Sequence, residues 1–211
     1  LPDSLYCTIT ELSLSANTSM VGGLFDFQWT SSNGNFVSGQ NTANPIVNSP
    51  GTYVLTLTTL GNGCSTIDST TVFEDITAPT IDLQAPETLT CGNTVISISN
   101  VGMDSESNFS IQWTTNDGNI LSGQNTLNPS IDQPGIYTIE ILNNTNGCSS
   151  METIEVTQDI IPPTIAILPT SELNCNVMQV NLNASSSSSG PEFNYSWTSE
   201  NGDFVSGQTT N

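Results

Sequence analysis

The chain contains no lysine, no arginine and no histidine. Its 20 aspartate and glutamate residues therefore give a formal net charge of −20, and its side chains can form neither salt bridges nor cation–π contacts. Nucleic acid is excluded as a direct partner, because no side chain can neutralise a phosphate group. An anionic membrane surface is disfavoured for the same reason. Charged residues make up only 9% of the chain, so we predict a surface of mostly uncharged polar residues.

Catalytic bases and long apolar segments are also missing. Nucleophilic catalysis needs a basic partner for the nucleophile, and without histidine or lysine there is none. The carboxylates are scattered along the chain, which does not favour a glycosidase-like pair. We therefore predict that the chain is not an enzyme and has no organic cofactor. No run of 18 apolar residues occurs, so we expect no membrane insertion.

What the sequence does contain is an internal repeat. The phrase WTSSNGNFVSGQNT begins at Trp29, returns as WTTNDGNILSGQNT at Trp113, and returns again as WTSENGDFVSGQTT at Trp197. Successive tryptophans are 84 residues apart, and the cysteines and Pro-Gly pairs recur at the same interval. We predict three units: 1–78 with its first strand missing or truncated, 79–162, and 163–211, the N-terminal half of a third.

Each unit is predicted to be an all-β sandwich. Apolar residues alternate with polar ones in segments such as FSIQWTT, and turn residues recur every 8–12 positions. Tryptophan in the middle of the third strand is suited to the centre of a small two-sheet core, and Asn-Gly turns would follow it. The alternative is an exposed Trp-Asn-Gln platform that binds sugar. The predicted core aromatics are Trp29, Trp113, Trp197, Tyr53 and Tyr137.

The phrases PGTYVLTLTTLGNGCS at 50–65 and EDITAPT at 74–80, which recurs as QDIIPPT at 158–164, carry a family resemblance. They resemble the tandem immunoglobulin-like or PKD-like repeats of very large cell-surface and secreted proteins of Bacteroidetes. The resemblance covers essentially the whole chain, although the W-x-F-G-D-G pattern of PKD repeats is absent. It implies tandem immunoglobulin-like sandwiches, export by type IX secretion, and a role as spacer or assembly module in an adhesin or filament.

The junctions between units combine an aspartate with proline. Asp75 precedes Pro79, and Asp159 precedes Pro162 and Pro163. Proline restricts the backbone, so the linkers are predicted to be short and stiff and the array to form a rod. Asp75 and Asp159 are candidate calcium ligands, since hard cations bind several oxygens. The alternative is an aspartate that caps a turn.

Five cysteines without CxxC pairs indicate structural disulfides in an extracellular or cell-surface protein. One scheme pairs Cys7 with Cys64 and Cys91 with Cys148, each across 57 residues, and leaves Cys175 for a partner outside the chain. We favour this scheme because it is the simpler one. In an immunoglobulin-like strand order, however, the paired positions would lie at opposite ends of a sandwich. Cys7–Cys148 would then become a bridge between units.

Two classes of function remain. The first is a structural module that gives reach and stiffness to a filament or adhesin stalk, with like chains as partners in a homo-oligomer or fibre. The second is an adhesive module whose SGQNT loops bind a surface glycan or a protein on a host or prey cell. The loops are nearly identical between units and contain no aromatic residue, which favours the first class. Glycan attachment sites cannot be assigned, because Asn-x-Ser/Thr sequences arise by chance in so polar a chain.

Overall fold

The computed structural model describes residues 4–16, 24–102 and 107–210. The chain divides into two compact units, Leu1–Asp159 and Ile160–Asn211. Within the described residues every regular element is a β-strand. No helix in this part of the chain is long and apolar enough to cross a membrane.

The first sandwich pairs a four-stranded sheet with a three-stranded one. The larger sheet has the order β1-β7-β6-β3 and the smaller has the order β2-β5-β4. All neighbours are antiparallel except β1 and β7. The strands are β1 (Ser4–Tyr6), β2 (Leu12–Ser13), β3 (Phe25–Ser31), β4 (Phe36–Ser38), β5 (Ile46–Val47), β6 (Gly51–Thr59) and β7 (Ser65–Asp75).

The second sandwich repeats this arrangement, with most strands displaced by 84 residues from their counterparts. Its sheets have the orders β10-β13-β14 and β11-β12-β9, and a parallel pair, β15-β8, corresponds to β1 and β7. The strands are β8 (Leu89–Thr90), β9 (Ile96–Ser97), β10 (Phe109–Thr115), β11 (Ile120–Ser122), β12 (Ser130–Ile131), β13 (Gly135–Asn143), β14 (Ser149–Val156) and β15 (Gln158–Asp159).

This strand order is that of an immunoglobulin-like sandwich, in which the second, fourth and fifth strands face the third, sixth and seventh. The prediction of an all-β, immunoglobulin-like fold is confirmed. The segment 79–84 forms no strand, and its Leu83 makes an isolated bridge with Asn100. The boundaries of the three predicted units and their arrangement as a rod stay predictions.

Alternating side chains build a separate core in each sandwich. Along β6, Tyr53, Leu55 and Leu57 point inward and are buried, while the intervening residues are more exposed. The same alternation buries Tyr137, Ile139 and Ile141 in β13. Because the two clusters share no residue, each sandwich is stabilised by its own apolar burial.

The unit Ile160–Asn211 is organised differently. Its described residues, 160–210, contain no strand. Local hydrogen bonds hold parts of it, such as the Trp197 backbone amide donating to the Gln208 carbonyl at 3.0 Å. Both sandwiches, and the joint between them, therefore belong to the first unit, Leu1–Asp159.

Candidate functional site at the joint between the sandwiches

The joint is formed by one hairpin and one turn. The hairpin 143–148 connects β13 to β14, and the Asn143 backbone amide donates to the Cys148 carbonyl at 2.8 Å. Gly147 has a φ of 69°, a left-handed conformation that favours glycine. The turn lies just after β1, where Tyr6 and Ile9 exchange backbone hydrogen bonds. The Asn-Gly-Cys sequence therefore shapes a hairpin tip that fits against this turn.

A disulfide links the two sandwiches across this joint. Cys7 in the turn is bonded to Cys148 in the hairpin, with their Cα atoms 5.1 Å apart and 141 residues between them in sequence. Cys148 is buried, with 1% of its surface exposed. The bridge is thus the alternative that an immunoglobulin-like strand order suggested, the bond between units.

The favoured pairing within each unit, Cys7–Cys64 and Cys91–Cys148, is wrong. Because β1 runs parallel to β7, Cys7 lies beside the end of β7 at Asp75, whereas Cys64 immediately precedes its beginning. The 11 residues of β7 separate the two positions by about 36 Å, and a disulfide needs Cα atoms within about 7 Å. Cys64, Cys91 and Cys175 are free, exposed thiols.

The side chain of Asn146 forms the centre of the joint. It is 1% exposed, and its Nδ2 donates to Asp75 Oδ1 at 3.1 Å and to the Thr77 carbonyl at 3.0 Å. Its Oδ1 accepts from the Cys148 backbone amide at 3.0 Å. The backbone carbonyl of Asn146 accepts from the Cys7 backbone amide at 3.2 Å. The neutral side-chain amide therefore connects the hairpin to the linker, and the backbone carbonyl of the same residue connects it to the turn. A buried polar group that is fully hydrogen-bonded favours a single geometry.

Hydrogen bonds hold the linker between the sandwiches at Asp75, Thr77 and Pro79. The Thr77 amide donates to Asp75 Oδ1 at 3.2 Å, which closes an Asx turn. Ser150 in β14 donates its hydroxyl to the Pro79 carbonyl at 2.6 Å, and Pro79 is buried. Thr8 packs so closely that a Cβ added to Gly147 would lie 2.5 Å from its Cγ2. The linker is thus hydrogen-bonded to the second sandwich, and the turn packs directly against the hairpin.

The predicted calcium ligands have different surroundings. Asp75 accepts hydrogen bonds from Asn146 and Thr77, and these bonds hold the pKa of its carboxyl below the ordinary value. Asp159 lies exposed in β15, in register with Thr90. Across the residues that the structure describes, no three His, Cys, Asp or Glu side chains are grouped so as to hold a metal ion. Calcium at Asp75 and Asp159 therefore stays a prediction, and the geometry seen at Asp75 is the turn-capping alternative.

Each tryptophan makes the same hydrogen bond to the loop that follows it, which reads SGQNT after Trp29 and Trp113 and SGQTT after Trp197. Trp29 and Trp113 are 6% and 0% exposed, whereas Trp197 is partly exposed. In all three cases the indole Nε1 donates to the carbonyl of the threonine 13 positions later, at 3.0, 2.9 and 2.7 Å. That threonine also donates its hydroxyl to the glycine carbonyl of the loop. The backbone of the loop is thus hydrogen-bonded to the tryptophan of the same repeat.

The two predicted core tyrosines form tyrosine corners. The Tyr53 hydroxyl donates to the Ser49 carbonyl at 2.6 Å, and Tyr137 makes the same bond to Gln133 at 2.6 Å. Both rings are fully buried, and burial raises the pKa of each phenol. This contact, at the entry to the sixth strand, is a hallmark of immunoglobulin-like sandwiches.

Three residues of the joint were not predicted from the sequence: Asn146, Thr8 and Ser150. The signal that could have found the first is the recurrence of Asn-Gly-Cys at 62–64 and 146–148. Thr8 and Ser150 contact the joint only because the fold brings them there, and no local sequence pattern indicates these contacts.

No protein-family model matches the chain, and no curated protein matches it in sequence. Among solved structures, it is similar to the extracellular domains 3-5 of Drosophila OTK, at 10% identity and a TM-score of 0.31 over 81% of this chain and 65% of that one. It is also similar to murine CEACAM1b, at 17% identity and a TM-score of 0.33 over 76% of this chain and 96% of that one.

A third similar structure is BT4661, a SusE-like surface located polysaccharide binding protein from the Bacteroides thetaiotaomicron heparin utilisation locus. The identity is 9% and the TM-score 0.30, over 75% of this chain. This chain spans 65% of the OTK fragment and 32% of BT4661. All three similarities are distant, and the assignment of an immunoglobulin-like fold rests on the strand order itself.

Proposed function

We propose that the chain is a structural segment of an extracellular filament or adhesin stalk, in which locked joints keep successive sandwiches in a fixed relation. The observation that carries this proposal is the joint around Asn146, where a disulfide and a buried hydrogen-bond network act on the same short linker. A passive, flexible spacer would need neither.

Bending at the joint would break several contacts together. The Cys7–Cys148 bond prevents the hairpin from leaving the turn. Rotation about the linker would remove the partners of the Asn146 amide, and leaving a buried amide unpaired costs about 1–3 kcal/mol. It would also separate Ser150 from Pro79. Together these contacts support a joint that resists bending.

An oxidising environment fits the same role. Structural disulfides persist mainly outside the cytoplasm. A chain without lysine or arginine also offers no cleavage site to proteases that cut after basic residues. Both properties suit a cell-surface fibre such as those of the Bacteroidetes proteins that the sequence resembles, exported by the type IX route.

The adhesive alternative has less support. The SGQNT loops use their backbone and hydroxyl groups within the repeat, and Gln124 also donates from its side chain to the Trp113 carbonyl at 3.2 Å. The loops also contain no aromatic residue on which a sugar ring could stack. Like chains are therefore the partners we propose, with ionic strength high enough to screen their shared negative charge.

Stiffness can be measured with the cysteines already present. Spin labels on Cys64 and Cys91, in a Cys175→Ser background, mark the two ends of the sandwich pair that point away from the joint. Pulsed electron resonance should give a narrow distance distribution. The distribution should broaden when Cys7→Ser and Cys148→Ser are added. A distribution that is equally broad with and without the bridge would overturn the proposal.

A further inference from the structure

The strands β7 and β14 each have one edge that no other strand covers over most of its length, within the part of the chain that the structure describes. The whole of β14 pairs with β13 alone, and the pairing with β8 is made by β15, after β14 has ended. In the first sandwich β1 covers β7 only over the last three residues. Ile67 in β7 and Met151 in β14 are 68% and 66% exposed. We call these two accessible edges, along 65–72 and 149–156, the open edges.

The open edge of β14 does not depend on a missing part of its sandwich. The segment 79–88, which precedes β8, begins beside this strand, where the Ser150 hydroxyl donates to the Pro79 carbonyl. It then leaves for the strand β9, because the Gln84 amide donates to the carbonyl of Ser99 at 2.9 Å. The preceding segment is therefore present and leaves the edge open.

Alternate residues direct their backbone amide and carbonyl groups to the open edges. In an antiparallel pair, every second residue exchanges both hydrogen bonds with its neighbour. The bond from the Asn143 amide to the Cys148 carbonyl sets this phase for β14, and the bond from the Thr59 amide to the Cys64 carbonyl, at 2.9 Å, sets it for β7. An added strand would bond to the outward groups. These belong to Met151, Thr153, Glu155, Ile67, Ser69 and Thr71.

The open edges lack the features that commonly prevent strands from pairing with other molecules, which are lysine, proline and bulges. The chain has no lysine, and neither strand contains proline. The registers of β7 with β6 and of β14 with β13 run without a shift over eight residue pairs. Both edges do carry an acid at the same position of the repeat, Asp68 in β7 and Glu152 in β14.

The contacts of Asp68 show how such an acid blocks an edge. Its Oδ1 accepts a hydrogen bond from the Ser69 backbone amide at 2.8 Å. That amide is one of the outward donors, and a hydrogen bond to a charged acceptor is roughly twice as strong as one to a neutral acceptor. In register, Asp68 and Glu152 lie opposite the core residues Leu55 and Ile139. An acid on the core-facing side of an edge opposes the addition of a further strand.

We propose that the open edges are lateral contact surfaces for a second copy of this chain, and that Asp68 and Glu152 prevent their pairing until the two charges are removed or screened. A second copy is the partner, because like charges on paired strands repel and a copy carries the same acid at the same position. Each chain displays the edge in both sandwiches, so the contact can recur along an array. This inference rests on the proposed function, in which like chains associate, and adds the surface and its control.

The test uses the full chain with Cys64→Ser, Cys91→Ser and Cys175→Ser, which excludes disulfides between copies. Asp68→Asn combined with Glu152→Gln removes the two charges and keeps an acceptor at each position. Sedimentation velocity at about 0.1 M ionic strength should show association at least about tenfold tighter than in the parent chain. The parent should approach this value at about 1 M, where screening is nearly complete. A variant that associates no more tightly than its parent would overturn the proposal.

Glu11→Gln combined with Glu140→Gln is the matched control. It removes the same charge from an exposed residue outside the strands and from an exposed residue of the central strand β13. Association should tighten less than about threefold, because only the overall repulsion falls. If both double variants tighten association equally, net charge controls it and the edges do not.

Hydrogen exchange locates the contact. In the associated Asp68→Asn, Glu152→Gln variant, the outward amides of Ser69 and Thr153 should exchange at least about tenfold more slowly than in the dissociated protein. Adding Ser69→Pro and Thr153→Pro removes these amides without breaking the pairing with β6 and β13, and should return association to the parent value. Association through other amides would contradict the proposal. The spin-label width at the joint is independent of these results, so failure here would leave the stiff joint standing.

Discussion

The hairpins 59–64 and 143–148 have the same backbone hydrogen bonds and nearly the same glycine conformation, with φ of 71° and 69°. One is exposed and carries a free thiol, and the other is buried and covalently bonded. The comparison separates two contributions to a joint. The shape of the hairpin is encoded within six residues. The burial of its asparagine and cysteine, the disulfide and the bonds donated by the asparagine side chain depend on a neighbouring sandwich.

The largest difference in stability between the two hairpins should appear when their cysteines are replaced. Replacing both Cys7 and Cys148 by serine should lower the free energy of unfolding by about 3 kcal/mol, because the unfolded chain loses a long covalent loop. Replacing both Cys64 and Cys91 should change it by less than about 0.5 kcal/mol. Urea denaturation of each purified variant measures both values. Similar losses in the two variants would contradict the assignment of the bridge.

Asparagine substitutions sharpen the comparison further. Asn146→Ala removes the partners of Asp75, Thr77 and the Cys148 amide, and should lower the free energy of unfolding by about 2 kcal/mol. Asn62→Ala removes one exposed bond, to the Cys64 amide, and should cost about 0.5 kcal/mol. Chemical denaturation with the native disulfide intact measures both. Equal costs would mean that Asn146 contributes nothing beyond the shape of its hairpin.

Glycine substitutions isolate the contact with the turn. Gly63→Ala and Gly147→Ala both place a side chain at positive φ, which should cost each about 1–2 kcal/mol. Only the second adds a methyl group against Thr8, so it should cost about 1 kcal/mol more. The difference between the two denaturation free energies is the measurement. If Thr8→Ala in the Gly147→Ala background does not reduce that difference, the contact is not its cause.

The smallest effect should be the response to acid. Hydrogen bonds from Asn146 and Thr77 lower the pKa of Asp75 in the folded state, so this carboxylate stabilises the fold above its ordinary pKa. That contribution is lost as the pH falls through the lowered pKa. The stability gap between wild type and Asp75→Asn should therefore be widest near neutral pH and close in acid. Urea midpoints at several pH values test this, and a gap that widens in acid would be the wrong sign.

The fold could be predicted because its signals are local and repeated. Alternation in β6 and β13 indicates strands, and the buried residues lie where that alternation places them. The hydrogen bond from Trp197 to Thr210 forms in a segment without strands, so the phrase beginning at each tryptophan carries its own geometry. The contacts it needs are only 13 residues apart.

The candidate site was harder to predict than the fold, because its contacts join residues that are far apart in the sequence of the first unit. Equal spacing of cysteines within each repeat suggested the pairing of Cys7 with Cys64, although an immunoglobulin-like strand order already indicated Cys7–Cys148 as the alternative, which is the bond that the structure contains. Asn146 meets Asp75 across 71 residues, which no local pattern reveals. The recurrent Asn-Gly-Cys identifies the hairpin but not the partner on which it docks.

The Cys7–Cys148 bond also determines how the protein bears tension. A pull on the chain from outside positions 7 and 148 passes through the sulfur atoms and bypasses the 141-residue interval between them. That interval holds nearly all of both cores and, if it were free to extend, would lengthen by up to about 500 Å. The part of each sandwich that lies inside this interval is thereby shielded from unravelling, because the covalent bond carries the load that its hydrogen bonds and apolar contacts would otherwise have to resist.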